Sequence, residues 1–173
     1  MVASQLTDPA LDRFNTAPRA GLIEDLMTCC ATSTWATRIA DERPYATRES
    51  LLGAAEQGVL DLDDVGVDEA LLAHPRIGDR VSGAGTEAQW SRREQSSMSD
   101  ADDQLRAELR EGNVAYEERF GTVFLIRAAG RSPAEMLAEL HRRLGNDPAT
   151  ERRELREQLA QISRLRVERL LEP

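Results

Sequence analysis

The chain has 173 residues, a formal net charge of −9 and an isoelectric point near 4.8. That length fits one domain over residues 1–173 with a sizeable buried core, and the acid excess argues against polyanion partners such as nucleic acid. No run of about 20 apolar residues occurs, so no membrane-spanning helix is expected.

Helical periodicity dominates from one end to the other. The opening "MVASQLTDPALDRF" has neither a basic start nor an apolar stretch, so it reads as no secretory signal. Within it, Asp8-Pro9 is a helix start. "APRAGLIEDLMTCCA" sets Leu22, Leu26 and Cys29 at spacings of four and three, on one helix face. Its adjacent Cys29 and Cys30 point about 100° apart and cannot bridge without strain. Nor do they have zinc-ligand spacing, so they read as two reduced, partly buried thiols of a cytoplasmic protein. "STWATRIADERP" begins with Ser and Thr caps and ends before Pro44. "TRESLLGAAEQGVL" and "DVGVDEALLAH" follow as a helical pair.

A glycine-rich break, "GDRVSGAGTE", separates two halves. "TEAQWSRREQSSM" then predicts a helix from Thr86, and "DADDQLRAELREGNVAYEERFG" a long one stopped by Gly121. "TVFLI" has a β-like composition but is too isolated to found a sheet. "SPAEMLAELHRRLGN" carries a Ser132 cap, Pro133 at the first helical position and a Gly145-Asn146 stop. "PATERRELREQLAQISRLRVERLL" predicts the last and longest helix, its buried stripe marked by Leu155, Leu159, Ile162, Leu165 and Leu170. The closing "LLEP" is no sorting tripeptide. The fold class predicted is all-α, a single-domain bundle of about eight or nine helices.

Four features bear on chemistry. In "LLAHPRIGD", Pro75 denies His74 the α conformation, so this imidazole stands stiffly at a helix end; a plain helix cap is the commoner role for such a residue. In "WSRREQSSM", Trp90, Ser91, Glu94, Gln95 and Met98 share an arc of about 140°. Arg92, Arg93 and Ser96 fall on the other side. Glu94 there is either desolvated toward use as an acid or in an ordinary surface ion pair. In the last helix, Arg166 and Arg169 lie within the apolar stripe and require a carboxylate or an anionic ligand, or else snorkel at the domain edge. The extended Thr122–Ile126 segment, with no sheet to join, leaves N–H groups for a flat heterocycle or for other loops. His141 reads as a solvated residue near a helix C-terminus. Two separated histidines and two adjacent cysteines supply no metal site, and no nucleotide-binding or nucleophile-elbow motif occurs. All 22 basic residues are arginine, which carries no functional message.

Taken together and in order, "HPRIGD", "SRREQ", "NVAYEERFGTVFLIRAAGRS" and "RLGNDPATE…QISRLRVERL" resemble the 2-oxo-4-hydroxy-4-carboxy-5-ureidoimidazoline (OHCU) decarboxylases of urate breakdown. "FN" near the start and "W" ahead of "ADERPY" extend the likeness over nearly the whole chain. The resemblance implies an all-α, cofactor-independent carboxy-lyase, homodimeric, that forms (S)-allantoin and CO2 from a small-molecule substrate. It makes His74 and Glu94 the catalytic pair. Pro75, the turn Ser91, Arg92, Arg93 and Gln95, the backbone of Thr122, Val123, Phe124, Leu125 and Ile126, and Arg166 become the substrate-binding residues. Val167 stands where the family more often has leucine, and Arg169 leaves the arginine register open by one turn. In this reading His74 moves a proton at the ring hydroxyl and carboxylate. Glu94, kept protonated beside Trp90 and Met98, gives a proton to carbon, although the two roles are interchangeable. Arg166 and the Gln95 amide anchor substrate oxygens. Two alternatives are a hydrolase or isomerase of a related ureido ring, and a non-catalytic helical interaction module using the "GDRVSGAGTE" loop.

Overall fold

Local sequence signals set most helix ends. The Asp8 carboxylate accepts from the Ala10 and Leu11 N–H groups and Pro9 takes the first helical position. Thr47 and Ser132 each close a capping box. Gly121, at φ 70°, ends a helix in the left-handed region that glycine tolerates best. A computed structural model describes residues 8–172. The residues before Asp8, and with them most of the signal-segment reading, lie outside the described residues, as does the final Pro173.

Among the described residues there are nine α-helices and no strand. They are α1 (Pro9–Thr16), α2 (Arg19–Cys29), α3 (Ser33–Asp41), α4 (Arg48–Leu60), α5 (Asp64–Leu71), α6 (Thr86–Glu94), α7 (Asp103–Phe120), α8 (Pro133–Leu144) and α9 (Pro148–Leu170). None is long and apolar enough to cross a membrane. The all-α expectation is met, with three local corrections. The helix from Thr86 stops at Glu94, and Ser96–Asp100 forms a 3₁₀ turn that takes Met98 off the Glu94 face. At the start of α3 the N-cap position falls on Thr32 with no side-chain cap bond, so the expected Ser33 and Thr34 caps do not form. On α9, Leu165 and Leu170 are only half-buried, while Arg166, Val167 and Leu171 are buried.

Two apolar clusters form the interior. The larger joins α1 to α5 with the inner face of α9 around Leu26, Trp35, Ile39, Leu51, Val59 and Leu159. The smaller joins α7 and α8 around Leu109, Tyr116, Met136 and Leu140, with Met98 from the 3₁₀ turn. Gly112 permits the α7–α8 approach: a Cβ there would lie 2.5 Å from a Leu140 methyl carbon. The β-like "TVFLI" stretch joins the two clusters. Phe124 and Ile126 enter the smaller cluster and Leu125 the larger, as the alternation of an extended chain dictates. Its apolar composition reflects burial on both sides, not sheet pairing. Cys29 and Cys30 are free and buried, and burial pushes both thiols up, Cys30 to about 11.

A buried ion pair pins this crossing. Arg143, 1% exposed, donates through Nε (2.9 Å) and Nη2 (2.5 Å) to Glu151 and through Nη1 (2.7 Å) to the Leu125 carbonyl. Its guanidinium lies 4.6 Å from the centre of the Phe124 ring, and Tyr116 donates its hydroxyl hydrogen to Glu151. Removing one member of such a pair strands the other charge in a dry interior. Glu151→Ala should therefore cost about 3–5 kcal/mol in urea unfolding. Arg142→Ala, which breaks exposed pairs with Glu139 and Glu154, should cost about 1 kcal/mol or less. Equal losses would show that burial does not govern these pairs.

Candidate functional site

α5 ends at Leu71, and the chain turns tightly, with the His74 N–H donating to the Leu71 carbonyl at 3.0 Å. Pro75 follows. Arg76 then donates twice to Glu117 on α7, both bonds at 2.6 Å, which fixes the corner from outside. Gly78 turns the chain at φ 89° and donates its N–H to the Gln95 side-chain oxygen at 3.1 Å. His74 is thus held at a stiff corner, as its proline predicts. Among the described residues neither ring nitrogen has a hydrogen-bond partner, so the side chain is no helix cap.

The ring is partly open to solvent but surrounded by dense protein. Burial first, and the nearby Arg166 cation second, push the imidazole down to about 3. It stands neutral at physiological pH. It borders two hollows. One, of ≈ 300 Å³, is lined by His74, Pro75, Glu87, Ser91 and the loop residues Arg80 to Ser82. The other, of ≈ 600 Å³, is lined by His74, Leu71, Leu72, Arg76, Thr122 and Val123. Both suit a small heterocycle.

Behind Ser91 lies the polar centre of the molecule. Glu94 on α6 is 9% exposed and Arg166 on α9 only 1%. Arg166 forks onto both Glu94 oxygens, Nε and Nη2 each at 3.0 Å, and Nη2 also donates to the Ser91 hydroxyl at 3.1 Å. Arg169 adds a third bond to Glu94, also at 3.0 Å. Burial first, then the neighbouring Arg93 and Arg166 cations, lower Arg169 from its ordinary value. Two cations against one carboxylate leave a net positive charge under the hollow, which suits an anionic ligand. Both arginines reach Glu94: the Arg166 side chain is 1% exposed, and that of Arg169, at 8%, stands only slightly nearer the surface.

Several site expectations change. Glu94 does not stand between Trp90 and Met98. It is buried and accepts three guanidinium N–H bonds, and Met98 packs in the other cluster near Gly78. Arg92 and Arg93 are exposed. The first holds the glycine-rich loop by the Gly83 carbonyl at 2.8 Å, and the second faces Glu172 at 3.7 Å, so neither reaches the hollow. Gln95 commits its oxygen to Gly78, which leaves its amide nitrogen. Of the extended segment, Thr122 and Val123 line the larger hollow, whereas the Phe124, Leu125 and Ile126 side chains are core. Their N–H groups make no hydrogen bond among the described residues. His141 is exposed, as expected.

Two groups escape a reading by motif. Arg143 lies seven residues beyond Met136 and three beyond Leu140, on the apolar stripe of α8, and that spacing is the signal for its burial. Glu87 lies four residues before Ser91 and seven before Glu94, on the face turned to the hollow, and that periodicity marks it too.

The family model for OHCU decarboxylase matches residues 15–168. This chain belongs to the OHCU decarboxylase family. It is 34% identical over 140 residues to the 2-oxo-4-hydroxy-4-carboxy-5-ureidoimidazoline decarboxylase of Mus musculus, covering 79% of this chain and 78% of that one. It is 31% identical over 151 residues to the uric acid degradation bifunctional protein TTL of Arabidopsis thaliana. That match covers 85% of this chain but only 46% of the plant protein, so the chain spans less than half of that relative. A crystal structure of OHCU decarboxylase in the presence of (S)-allantoin superposes with a TM-score of 0.74 at 29% identity, over 86% of this chain and 97% of that one.

The low imidazole pKa makes stability depend on pH. Between pH 6.5 and about 3 the unfolded chain binds a proton on His74 that the folded chain refuses, so stability falls as pH falls through this window. His74→Asn removes the contribution. Urea unfolding of both proteins from about pH 5 to pH 7 should show the wild type gaining on the variant as pH rises. A constant difference would mean a solvated imidazole.

Proposed function

We propose that this chain decarboxylates 2-oxo-4-hydroxy-4-carboxy-5-ureidoimidazoline to (S)-allantoin in urate breakdown, with His74 and the Arg166–Glu94–Ser91 cluster as its working parts. The observation that carries the reading is an unpartnered, neutral imidazole opening on a ring-sized hollow above a net positive, buried charge cluster, in a chain of this family.

The chemistry suits these residues. The carbon that bears the carboxylate and hydroxyl adjoins a C=N carbon. When the C–CO2 bond breaks, its electron pair forms a C=C bond and the C=N pair passes to nitrogen, which takes a proton. The substrate is its own electron sink. The protein has to hold the carboxylate out of the ring plane, stabilise the enol that forms, and protonate one face of the neighbouring carbon. His74, neutral and free at both nitrogens, accepts the hydroxyl proton as the enol becomes a carbonyl. The net positive cluster beneath holds the anionic substrate, and a bound anion offsets the Arg166 field, the lesser of the two causes that hold the imidazole pKa down, burial being the larger. Ser91, Pro75 and the Gln95 amide nitrogen border the ring. The N–H groups of Thr122 and Val123, with those up to Ile126, offer donors to its planar amide edge. Glu94 keeps the two guanidiniums in place.

The two buried, unreactive thiols support a reducing compartment such as the cytoplasm. Assembly as a homodimer rests on family resemblance, and sedimentation of the purified chain tests it.

Substrate generated freshly from urate should lose its absorbance faster with the wild-type chain than alone, with the circular dichroism of one allantoin enantiomer growing in step. His74→Asn should slow that turnover by about 10² or more while leaving the far-ultraviolet spectrum intact. A wild-type chain that leaves the spontaneous rate unaltered is a non-catalytic module. An active chain that yields another product is a hydrolase or isomerase.

A further inference from the structure

Three consecutive residues after His74-Pro75 are tied down by side chains. Arg76 forks onto Glu117 of α7, and Gly78 donates its N–H to Gln95. Between them, the Asn113 side-chain nitrogen on α7 donates to the Ile77 carbonyl at 3.0 Å. The surroundings of the three ties differ. The Arg76 and Glu117 side chains are 46% and 27% exposed, so solvent and salt weaken that pair. Gln95 is half-buried. Asn113 and Ile77 are both buried. Asn113 is also an awkward residue for a core. Its side-chain oxygen is buried without a partner, a state shared among the described residues with the Thr32 hydroxyl alone. Burying an unmatched amide oxygen costs stability, which an apolar side chain of similar size would spare. What the asparagine supplies in return is one bond, to the corner that carries His74.

The place of that bond on α7 gives it a wider effect. Asn113, Glu117 and the helix stop Gly121 follow at intervals of four, along one side of the helix. The first two hold the corner. After the third the chain leaves as Thr122 and Val123, which line the ≈ 600 Å³ hollow together with His74. One side of one helix therefore spaces the imidazole from the N–H-bearing segment of the same hollow. We propose that Asn113 is a positioning residue of this site: through Ile77 it holds the His74 ring at the distance from Thr122 and Val123 that the substrate ring requires. The inference rests on the decarboxylase reading, because it gives Asn113 a part in that turnover. A proton-moving group misplaced by about 1 Å loses on the order of 10²-fold in rate.

The test uses the intact chain. Asn113→Leu keeps the volume and removes the donor. With substrate made freshly from urate it should lower kcat by about 10-fold to 100-fold and shift KM by about threefold or less. Leu109→Ala opens the same apolar cluster one turn earlier on α7 and leaves the tie intact. It should lower the melting temperature at least as much as Asn113→Leu while keeping kcat within about threefold of wild type. A second readout needs no substrate. The charged groups facing the His74 ring are Arg166 behind it, Arg80 and Glu87 on the smaller hollow, and Asp68, Arg76 and Glu117 on the larger, and the substitution changes none of them. Burial is the first cause of the depressed imidazole pKa, so a released corner that gains water should bring it up toward its ordinary value. In proton NMR from about pH 5 to pH 8 the wild-type His74 ring signal should hold still and that of Asn113→Leu should titrate. His141→Gln identifies the signal of the other histidine. Asn113→Ser also loses the reach to Ile77, and it carries both readouts if Asn113→Leu does not fold. Wild-type kcat in the Asn113 variant, or a His74 signal that stays still, would overturn the assignment. So would an equal kcat loss in Leu109→Ala, which marks a packing effect. A wild-type chain with no decarboxylase activity would reject the underlying reading and the kinetic role with it, while the titration would still show whether Asn113 holds the corner.

Discussion

The fork between Arg166 and Glu94 is the constraint on which the rest depends. Moving either charge alone into this interior would cost several kcal/mol, so α6 and α9 are bound to a common register wherever the pair forms. Arg166 reaches further, donating to Ser91 on α6 and, at 3.5 Å, to the Thr28 carbonyl of α2. One side chain thus ties three helices beneath the hollow. Its charge also reaches His74, Glu87 and the two thiols, each of whose protonation it biases.

The same fork explains the contrast between two glutamates on one helix. Seven residues separate Glu87 from Glu94, about two turns, so both look toward α9 and the corner after α5. Glu94 sits where two guanidiniums converge and is consumed by them. Glu87, nearer the helix start, meets the cavity instead. Like residue types on one face thus meet different surroundings, two guanidiniums for the one and an open hollow for the other.

The second buried pair, Arg143 with Glu151, serves the site at one remove. By gripping the Leu125 carbonyl it fixes the extended crossing whose neighbours Thr122 and Val123 wall the larger hollow. With Arg127 donating its N–H to Gln158, the segment is held at its far end as well. A short stretch without helix or sheet is therefore rigid enough to present N–H groups in a set geometry.

What the sequence determined by itself is what depends on near neighbours: the caps at Asp8, Thr47 and Ser132, the stop at Gly121, the stiff corner at His74-Pro75, the helical periods and hence the all-α class. Those features are decided within about one turn of chain, by φ restriction, capping bonds and apolar spacing. The family motifs likewise singled out His74, Glu94 and Arg166 by number. Only the tertiary structure decided their characters. That Glu94 is held in an ion pair depends on a residue 72 positions away, and that Arg166 is enclosed depends on which side of α9 the other helices cover. Arg92 and Arg93 share a motif with Ser91 yet face solvent, because a helix turns adjacent residues about 100° apart. Burial and charge pairing are properties of the assembled chain, and no local pattern contains them.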